Sequence, residues 1–107
     1  MRYRVILQPS AREDLRSLYA FIRDEQKSPS NAVNFIRRIN VYCQGFAQFP
    51  HRGMQRDDIR AGLRLVGFER RVTIAFTVSE ETVLIARILY GGRDIAALFE
   101  DESGGVE

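Results

Sequence analysis

The sequence predicts an α+β domain in which a helical hairpin packs on one face of a small, antiparallel-rich sheet. The first observation is that apolar residues recur at helical spacing in two neighbouring stretches, between residues 11 and 22 and between residues 32 and 49. The second is that three apolar or alternating runs follow between residues 63 and 90, with short turns between them. Short turns make an antiparallel meander, and the two amphipathic helices must bury their apolar stripes against it. With one strand before the helices and a short helix after the sheet, the predicted order is β-α-α-β-β-β-α.

The length and composition of the chain fit one domain. The 107 residues are enough to build one core, so we assign residues 1–100 to this domain and residues 101–107 to an acidic tail that is predicted to be disordered. One cysteine, Cys43, excludes an intramolecular disulfide, and one histidine, His51, excludes a Cys/His zinc site, so we expect no metal and no cofactor. No apolar run approaches the ~20 residues of a membrane span, which predicts a cytoplasmic protein without membrane contact.

The first strand and the first helix come from the N-terminal residues. Tyr3–Leu7 alternates and contains β-branched and aromatic residues, which predicts a short strand. Ser10 and Glu13 have the spacing of a capping box, which predicts a helix start at Ser10. Apolar residues then repeat at helical spacing as far as Ile22, and the helix is expected to end near Lys27.

The second helix has a clear start and a clear stop in the sequence. Ser28 is the expected N-cap, and Pro29 suits the first helical position. The apolar stripe continues to Phe49, and Pro50 is expected to end the helix. Cys43 lies on this stripe, so we interpret it as a packed thiol and not as a nucleophile.

A polar loop and three strands complete the domain. The segment from His51 to Gly62 is rich in charge and is predicted to be a loop with at most one helical turn, in which His51 is a surface residue and not a general acid or base. A turn at residues 67–69 and a cap at Asp94 before a last helix, Ile95 to about Glu100, are also predicted. The predicted strands are Leu63–Val66, Val72–Val78 and Thr82–Tyr90. Both alternating sets of the last strand are apolar, so it should be covered on both faces or lie in the middle of the sheet.

Arg87 is a charged residue inside this most apolar strand. An isolated charge in a core is costly, so the guanidinium must find a carboxylate, carbonyl groups or the edge of the sheet. We expect a partner on the first helix, either Glu13 or Asp14. Contact with a target is the alternative role.

The basic charge of the chain is carried almost wholly by arginine. Fifteen of the sixteen basic residues are arginine, and Lys27 is the one lysine. Four of the fourteen acidic residues lie within the last eight positions, so residues 1–99 carry sixteen basic and ten acidic side chains, a net charge of +6. An arginine-rich body favours acidic partners, either nucleic acid or an acidic protein segment, although a solvated surface is the alternative for any single arginine.

Several short motifs occur one after another along the chain. They are Tyr-x-Val-x-Leu-x-Pro-x-Ala-x-x-Asp-Leu at 3–15, Ser-Pro before the second helix, Phe-Pro-x-x-Gly at 49–53, Gly-Leu-Arg at 62–64 and Arg-Ile-Leu-Tyr-Gly-Gly-Arg-Asp at 87–94. In this order, and together with the predicted order of elements, they resemble the ParE branch of the RelE/ParE toxin superfamily. The resemblance covers about residues 3–99.

The resemblance implies the toxin of a type II toxin–antitoxin system, a bacterial growth-arrest and plasmid-stabilisation module. It implies a ParD-like antitoxin as partner, whose disordered acidic and apolar tail folds over the toxin. It also implies a homodimer or a larger hetero-oligomer with the antitoxin. Members closest to ParE are associated with poisoning DNA gyrase, whereas RelE-like members cut mRNA in the ribosomal A site.

The positions that carry chemistry in RelE-like nucleases are mostly unfilled in this sequence. Arg93, after the Gly-Gly turn, matches one of their phosphate-side arginines. A second arginine is replaced by Thr73, and a C-terminal tyrosine is replaced by Phe99, which has no proton to exchange. Loop lysines are also missing, because Lys27 is the only lysine. We therefore predict a gyrase inhibitor that acts by binding and has no catalytic residues.

Four arginines are the expected contact residues for the antitoxin or the target: Arg64, Arg71, Arg87 and Arg93. Apolar anchors are expected from the first helix and the sheet. Three alternatives stay open. The chain can be a ribosome-dependent mRNA endonuclease of the RelE type, a basic module that binds nucleic-acid phosphates directly, or a non-toxic member that still binds its antitoxin.

Overall fold

The computed structural model describes residues 2–91 and 95–104, with side chains as far as Phe99. Arg93 and Asp94, which carry two of the sequence predictions, lie outside the described residues. The elements are β1 (Arg4–Leu7), α1 (Pro9–Gln26), α2 (Pro29–Gln44), a 3-10 turn (Gly45–Ala47), β2 (Met54–Gln55), β3 (Leu63–Phe68), β4 (Val72–Val78), β5 (Thr82–Tyr90) and α3 (Ile95–Gly104). The predicted α+β order is confirmed, and no helix in the described part of the chain is long and apolar enough to cross a membrane.

The five strands form one mixed sheet in the order β1-β5-β4-β3-β2. β1 pairs with β5 in parallel, from Arg4 opposite Thr82 to Leu7 opposite Ile85. The other neighbours are antiparallel, as the short turns require. β5 therefore lies inside the sheet, between the first strand of the chain and β4, and its two apolar faces pack in two separate clusters.

The helical hairpin and α3 lie on opposite faces of the sheet. The main core joins α1 and α2 to the sheet through side chains such as Leu18, Phe35 and Phe76, which are 4 % exposed or less. A smaller cluster on the other face contains Leu63, Ala75, Ala86 and Phe99, with Ile95 of α3 packed against it.

The β5 strand contains a β-bulge opposite β4. Ala75 of β4 lies opposite Arg87 whereas Phe76 lies opposite Ile85, so Ala86 is an extra residue in β5. Ile85 before the bulge and Ile88 after it both belong to the helix-side core, although they are three residues apart. The bulge thus changes which alternating set faces the helices.

The predicted capping box at the start of α1 is wrong. The helix begins at Pro9 with Gln8 as its N-cap, and no side chain caps it. Proline fits the first helical position because its missing N–H would have no partner there. Ser10 has a different role, since its hydroxyl donates a hydrogen bond to the carbonyl of Ala86, 2.9 Å away.

The start of α2 is confirmed, but its end is earlier than predicted. Ser28 accepts a hydrogen bond from the amide of Asn31 (3.2 Å), and Pro29 follows it. The helix ends at Gln44 and continues as the 3-10 turn, so Phe49 does not extend the buried stripe and is 67 % exposed. Pro50 is buried beyond it.

The loop between α2 and β3 contains a two-residue strand that the sequence does not reveal. β2 pairs with Leu65 and Arg64 at the outer edge of the sheet. Gly53 comes just before it with φ +78°, and a Cβ atom there would lie 2.4 Å from the carbonyl oxygen of Leu65. Only glycine fits so close to the neighbouring strand.

Two further bounds differ from the sequence prediction. β3 extends to Phe68, so the turn comes at Glu69 and Arg70 and not at residues 67–69. α3 extends to Gly104, which is four residues beyond the predicted end. The boundary at residue 100 between domain and tail stays a prediction.

Asp14 joins α1 to the part of β5 that β1 leaves uncovered. β1 covers β5 only as far as Ile85. Beyond that point the Asp14 carboxylate accepts two hydrogen bonds from the Arg87 guanidinium, at 2.8 and 3.0 Å, and one from the amide of Ile88 at 2.9 Å. Both side chains are largely buried, at 16 % and 13 % exposure. The expected ion pair of Arg87 with the first helix is confirmed, with Asp14 as partner.

We expect Asp14→Asn to destabilise the fold by about 3 kcal/mol, because it leaves the largely buried Arg87 charge without its carboxylate. Urea unfolding measures this change in the free energy of unfolding. Asp24→Asn is the matched control, since the Arg23–Asp24 pair lies at the surface and should contribute little. Equal unfolding curves for wild type and Asp14→Asn would show that the pair does not hold α1 in place.

Candidate functional site

The three predicted contact arginines in the described part of the chain are held by different partners. Arg87 is bound by Asp14 inside the fold, so its guanidinium has a structural role. Arg64 lies on β3, is half-buried and donates a hydrogen bond to the carbonyl of Arg52, 3.2 Å away. Arg71 lies at the turn between β3 and β4, next to α2. The structure therefore does not gather them into one basic site.

The first candidate surface is an open groove between α1 and α2, which we call the helix groove. It has a volume of about 540 Å³. Its lining residues are mostly apolar and come from both helices: Leu15, Arg16, Tyr19, Ala20, Arg23, Val33 and Ile36. The inner faces of the same helices are buried against the sheet, so this groove is formed by the apolar residues left on the outside of the hairpin.

The charges at the rim of the helix groove are balanced within the chain. Arg16 pairs with Glu13 at 2.9 Å, and Arg23 pairs with Asp24 at 2.9 Å. The Arg23 guanidinium also lies 5.6 Å from the centre of the Tyr19 ring. The groove is thus an apolar surface with a mixed-charge rim, which suits the apolar face of an amphipathic helix.

The second candidate surface lies at the β3–β4 turn, where two arginines pack on one ring. The guanidinium of Arg71 lies 4.5 Å from the centre of the Phe35 ring, and that of Arg38 lies 5.2 Å from it. Arg38 also forms a two-bond ion pair with Glu69, at 2.7 and 3.0 Å. This pair lowers the pKa of Glu69 and raises that of Arg38, mainly through the hydrogen bonds between them.

Two hollows flank the Arg38–Glu69 pair. One, the tip cavity, has a volume of about 250 Å³ and a mainly polar lining: Ile22, Gln26, Asn31, Asn34, Phe35, Arg38 and Arg71. The other, the α2–β3 groove, has a volume of about 410 Å³. Its floor is formed by Val41, Tyr42 and Phe68, and the charged residues Arg37, Arg38 and Glu69 also line it. The sequence predicts a contact role for Arg71 but not for its neighbours, because residues 35, 38 and 69 are brought together only by the packing of α2 on the turn.

His51 and Phe99, two positions considered for catalysis, lie in different parts of the fold. His51 is exposed, and its ring stands perpendicular to the Tyr3 ring, with ring centres 6.2 Å apart. Phe99 of α3 is 2 % exposed in the cluster between α3 and the sheet, and the Arg60 guanidinium lies 5.4 Å from its ring centre. Among the residues that the structure describes, no group of three or more histidine, cysteine or acidic side chains could hold a metal ion.

Cys43 is a packed thiol, as its place on the helical stripe predicts. It is fully buried in the main core. Burial raises the pKa of the thiol to about 12, because a thiolate would lose its hydration there. A protonated, buried thiol is a poor nucleophile at neutral pH.

We expect Cys43 to resist alkylation by iodoacetamide at pH 8 in the native protein and to react quickly in 8 M urea. The raised pKa keeps the thiol protonated in the folded state, while unfolding restores both access and ordinary acidity. Mass spectrometry measures the labelled fraction over time, with Cys43→Ala as the unlabelled control. Rapid labelling of the folded chain would contradict this assignment.

Comparisons with known proteins agree with the geometry. The family model described as "ParE toxin of type II toxin-antitoxin system, parDE" matches residues 5–95. A solved chain from the "Chromosomal ParDE TA system from P. aeruginosa" has a similar fold, with a TM-score of 0.73 and 18 % sequence identity over 85 % of this chain and 98 % of that one. The search of curated proteins finds no match.

Proposed function

Because the chain belongs to the ParE family of toxins from type II toxin–antitoxin systems, we propose that it inhibits DNA gyrase by binding and that a ParD-like antitoxin neutralises it. ParE toxins pair with an antitoxin, and the similar solved chain comes from such a ParDE system. In this proposal the toxin stabilises gyrase on cleaved DNA through contact. It supplies no group to the cleavage reaction itself.

One observation carries the preference for binding over ribonuclease chemistry. Phe99 stands where RelE-like nucleases carry a tyrosine, and from α3 it packs onto the sheet against Leu63, Ala75 and Ala86. A phenyl ring has no proton to exchange, and here it serves as a core residue. The other position, Thr73, is half-buried in β4 and also lacks the cationic group that phosphate chemistry uses.

The helix groove is the surface that we assign to the antitoxin. An amphipathic helix binds through apolar side chains at intervals of three and four residues, and a long apolar groove between two helices accommodates such a row. The groove residues Leu15, Tyr19 and Ile36 are half-buried, and Val33 is 41 % exposed. Covering them would remove apolar surface from water, which favours association.

We expect the purified toxin to inhibit supercoiling by gyrase and to increase the amount of cleaved DNA, in proportion to toxin concentration. A supercoiling and cleavage assay with gyrase holoenzyme measures both, and adding the antitoxin should reverse them. Cys43→Ala is a suitable control variant, because the thiol has no part in binding. Normal gyrase activity together with mRNA cuts on ribosomes would instead support the RelE-type alternative.

We expect Val33→Glu to weaken antitoxin binding at least tenfold, about 1.4 kcal/mol, because it places a charge on the apolar floor of the helix groove. Isothermal titration with the purified antitoxin measures the Kd. Met54→Glu is the matched control, since Met54 is 65 % exposed on β2 at the sheet edge. If both variants bind as tightly as wild type, the antitoxin does not use the helix groove.

A further inference from the structure

Arg71 is held in place yet has unused hydrogen-bonding capacity. Its guanidinium lies over the Phe35 ring at 4.5 Å, and the nearest acidic atom among the described residues, on Glu69, is 3.8 Å away, beyond hydrogen-bonding distance. Within residues 2–91 and 95–99, no side-chain hydrogen bond is made by this guanidinium. The side chain is 38 % exposed. A planar cation fixed by a ring, with free N–H groups, is prepared to bind a carboxylate through two bonds.

The backbone of the turn fixes this arrangement at some cost. Glu69 and Arg70 both have positive φ, 52° and 60°, and the Arg71 amide donates to the Phe68 carbonyl at 3.1 Å. Two positive φ angles define the type I′ turn, which normally takes asparagine and glycine. Such strain persists where the surrounding contacts hold it, and here the Glu69–Arg38 ion pair ties the turn to α2.

Asn34 supplies a second donor beside Arg71. Both side chains line the tip cavity. The Asn34 carbonyl oxygen accepts a hydrogen bond from Arg37 at 2.9 Å, which leaves its amide nitrogen available in the described structure. A carboxylate in the tip cavity can therefore accept hydrogen bonds from a guanidinium and an amide together.

We propose that Arg71 anchors a second antitoxin docking site, in which the tip cavity binds a carboxylate of the antitoxin and the adjoining α2–β3 groove binds one of its apolar side chains. This site rests on the proposed function for the identity of the partner. The Arg38–Glu69 pair forms the ridge between the two hollows. A segment with an acidic residue beside an apolar one fits across this ridge.

The apolar half of the site favours a protein over a nucleic acid. Val41 on α2 is 67 % exposed, and with Tyr42 and Phe68 it gives the α2–β3 groove an apolar floor. A phosphodiester backbone would gain nothing from this floor, whereas an apolar side chain is removed from water by it.

The local charge favours an acidic segment. Three arginines line the two hollows, and Glu69 is the only acidic side chain among the described lining residues. The arginines are Arg37, Arg38 and Arg71. Unlike the rim of the helix groove, where each arginine has a carboxylate of its own, this surface has an excess of positive charge. Such an excess attracts an acidic partner and increases its association rate.

The site is continuous with the helix groove, which is why we assign both to one partner. Val33, Arg37 and Val41 follow one another at four-residue intervals and are all exposed on α2. Val33 lines the helix groove, and Arg37 and Val41 line the α2–β3 groove. Each interval of four residues spans about 6 Å, slightly more than one helical turn. An antitoxin that fills the helix groove therefore reaches the β3–β4 turn by crossing about two turns of α2.

Binding of the purified antitoxin to the Arg71→Gln variant tests the site. Loss of a bidentate charged contact should raise the Kd about tenfold or more, measured by isothermal titration at 0.15 M salt. The Kd of Arg71→Lys should lie between those of wild type and Arg71→Gln, because lysine keeps the charge but lacks the planar guanidinium. Arg70→Gln is the matched control: it removes the same charge from the next residue and should change the Kd by less than about threefold.

Three outcomes would overturn the proposal. The first is a wild-type Kd for Arg71→Gln, with folding confirmed by thermal melting. The second is an equal increase in the Kd for the antitoxin in Arg71→Gln and Arg70→Gln, which would show a general charge effect. The third is displacement of the antitoxin by a 20-base-pair DNA duplex through an Arg71-dependent contact, which would assign the site to nucleic acid. Because binding is measured with pure proteins, failure of the toxin to inhibit gyrase bears on the proposed function and not on this site.

Discussion

The fold depends on how α1 meets the sheet at Asp14. β1 is four residues long, whereas its parallel neighbour β5 has nine, so β1 leaves more than half of that edge of β5 uncovered. The chain turns directly from β1 into α1, and Ser10 and Asp14 on the first turns of the helix bind the carbonyl of Ala86 and the amide of Ile88. Two side chains thus replace a strand, and Arg87 supplies the charge that holds Asp14 there.

This attachment decides which surfaces remain for partners. With α1 fixed along β5 and α2 packed beside it, the inner faces of both helices are used by the core. The outer faces keep enough apolar residues to form the helix groove, and α2 extends to the β3–β4 turn. The proposed binding surfaces therefore follow from the hairpin and the turn, and the opposite side of the sheet is occupied by α3.

Much of the fold is readable from sequence because it depends on local rules. The Ser28 cap, the buried Cys43 and the partner of Arg87 follow from spacing, periodicity and the cost of a buried charge. The Ser10 prediction failed because the same hydroxyl can cap a helix or bind a distant strand, and tertiary contact decided between them. The surroundings of Arg71 do not follow from the sequence for a related reason: Phe35 and Arg38 lie on α2, Arg38 is 31 residues from Glu69, and no periodicity relates α2 to the β3–β4 turn.

The parallel pairing of β1 with β5 has a consequence for synthesis. The helix hairpin is complete once residue 44 has been made, and the β3–β4 turn can form soon after residue 78. The first strand, however, cannot pair with β5 until residues 82–85 have been made. In the same way, Asp14 cannot bind Arg87 until the chain is 73 residues longer. Long-range closure of this kind is slow, so the nascent chain carries an unfinished sheet edge until its last strand leaves the ribosome. The earliest-made part of the toxin is also the part that forms the helix groove, so the surface assigned to the antitoxin is synthesised well before the domain that it belongs to can close.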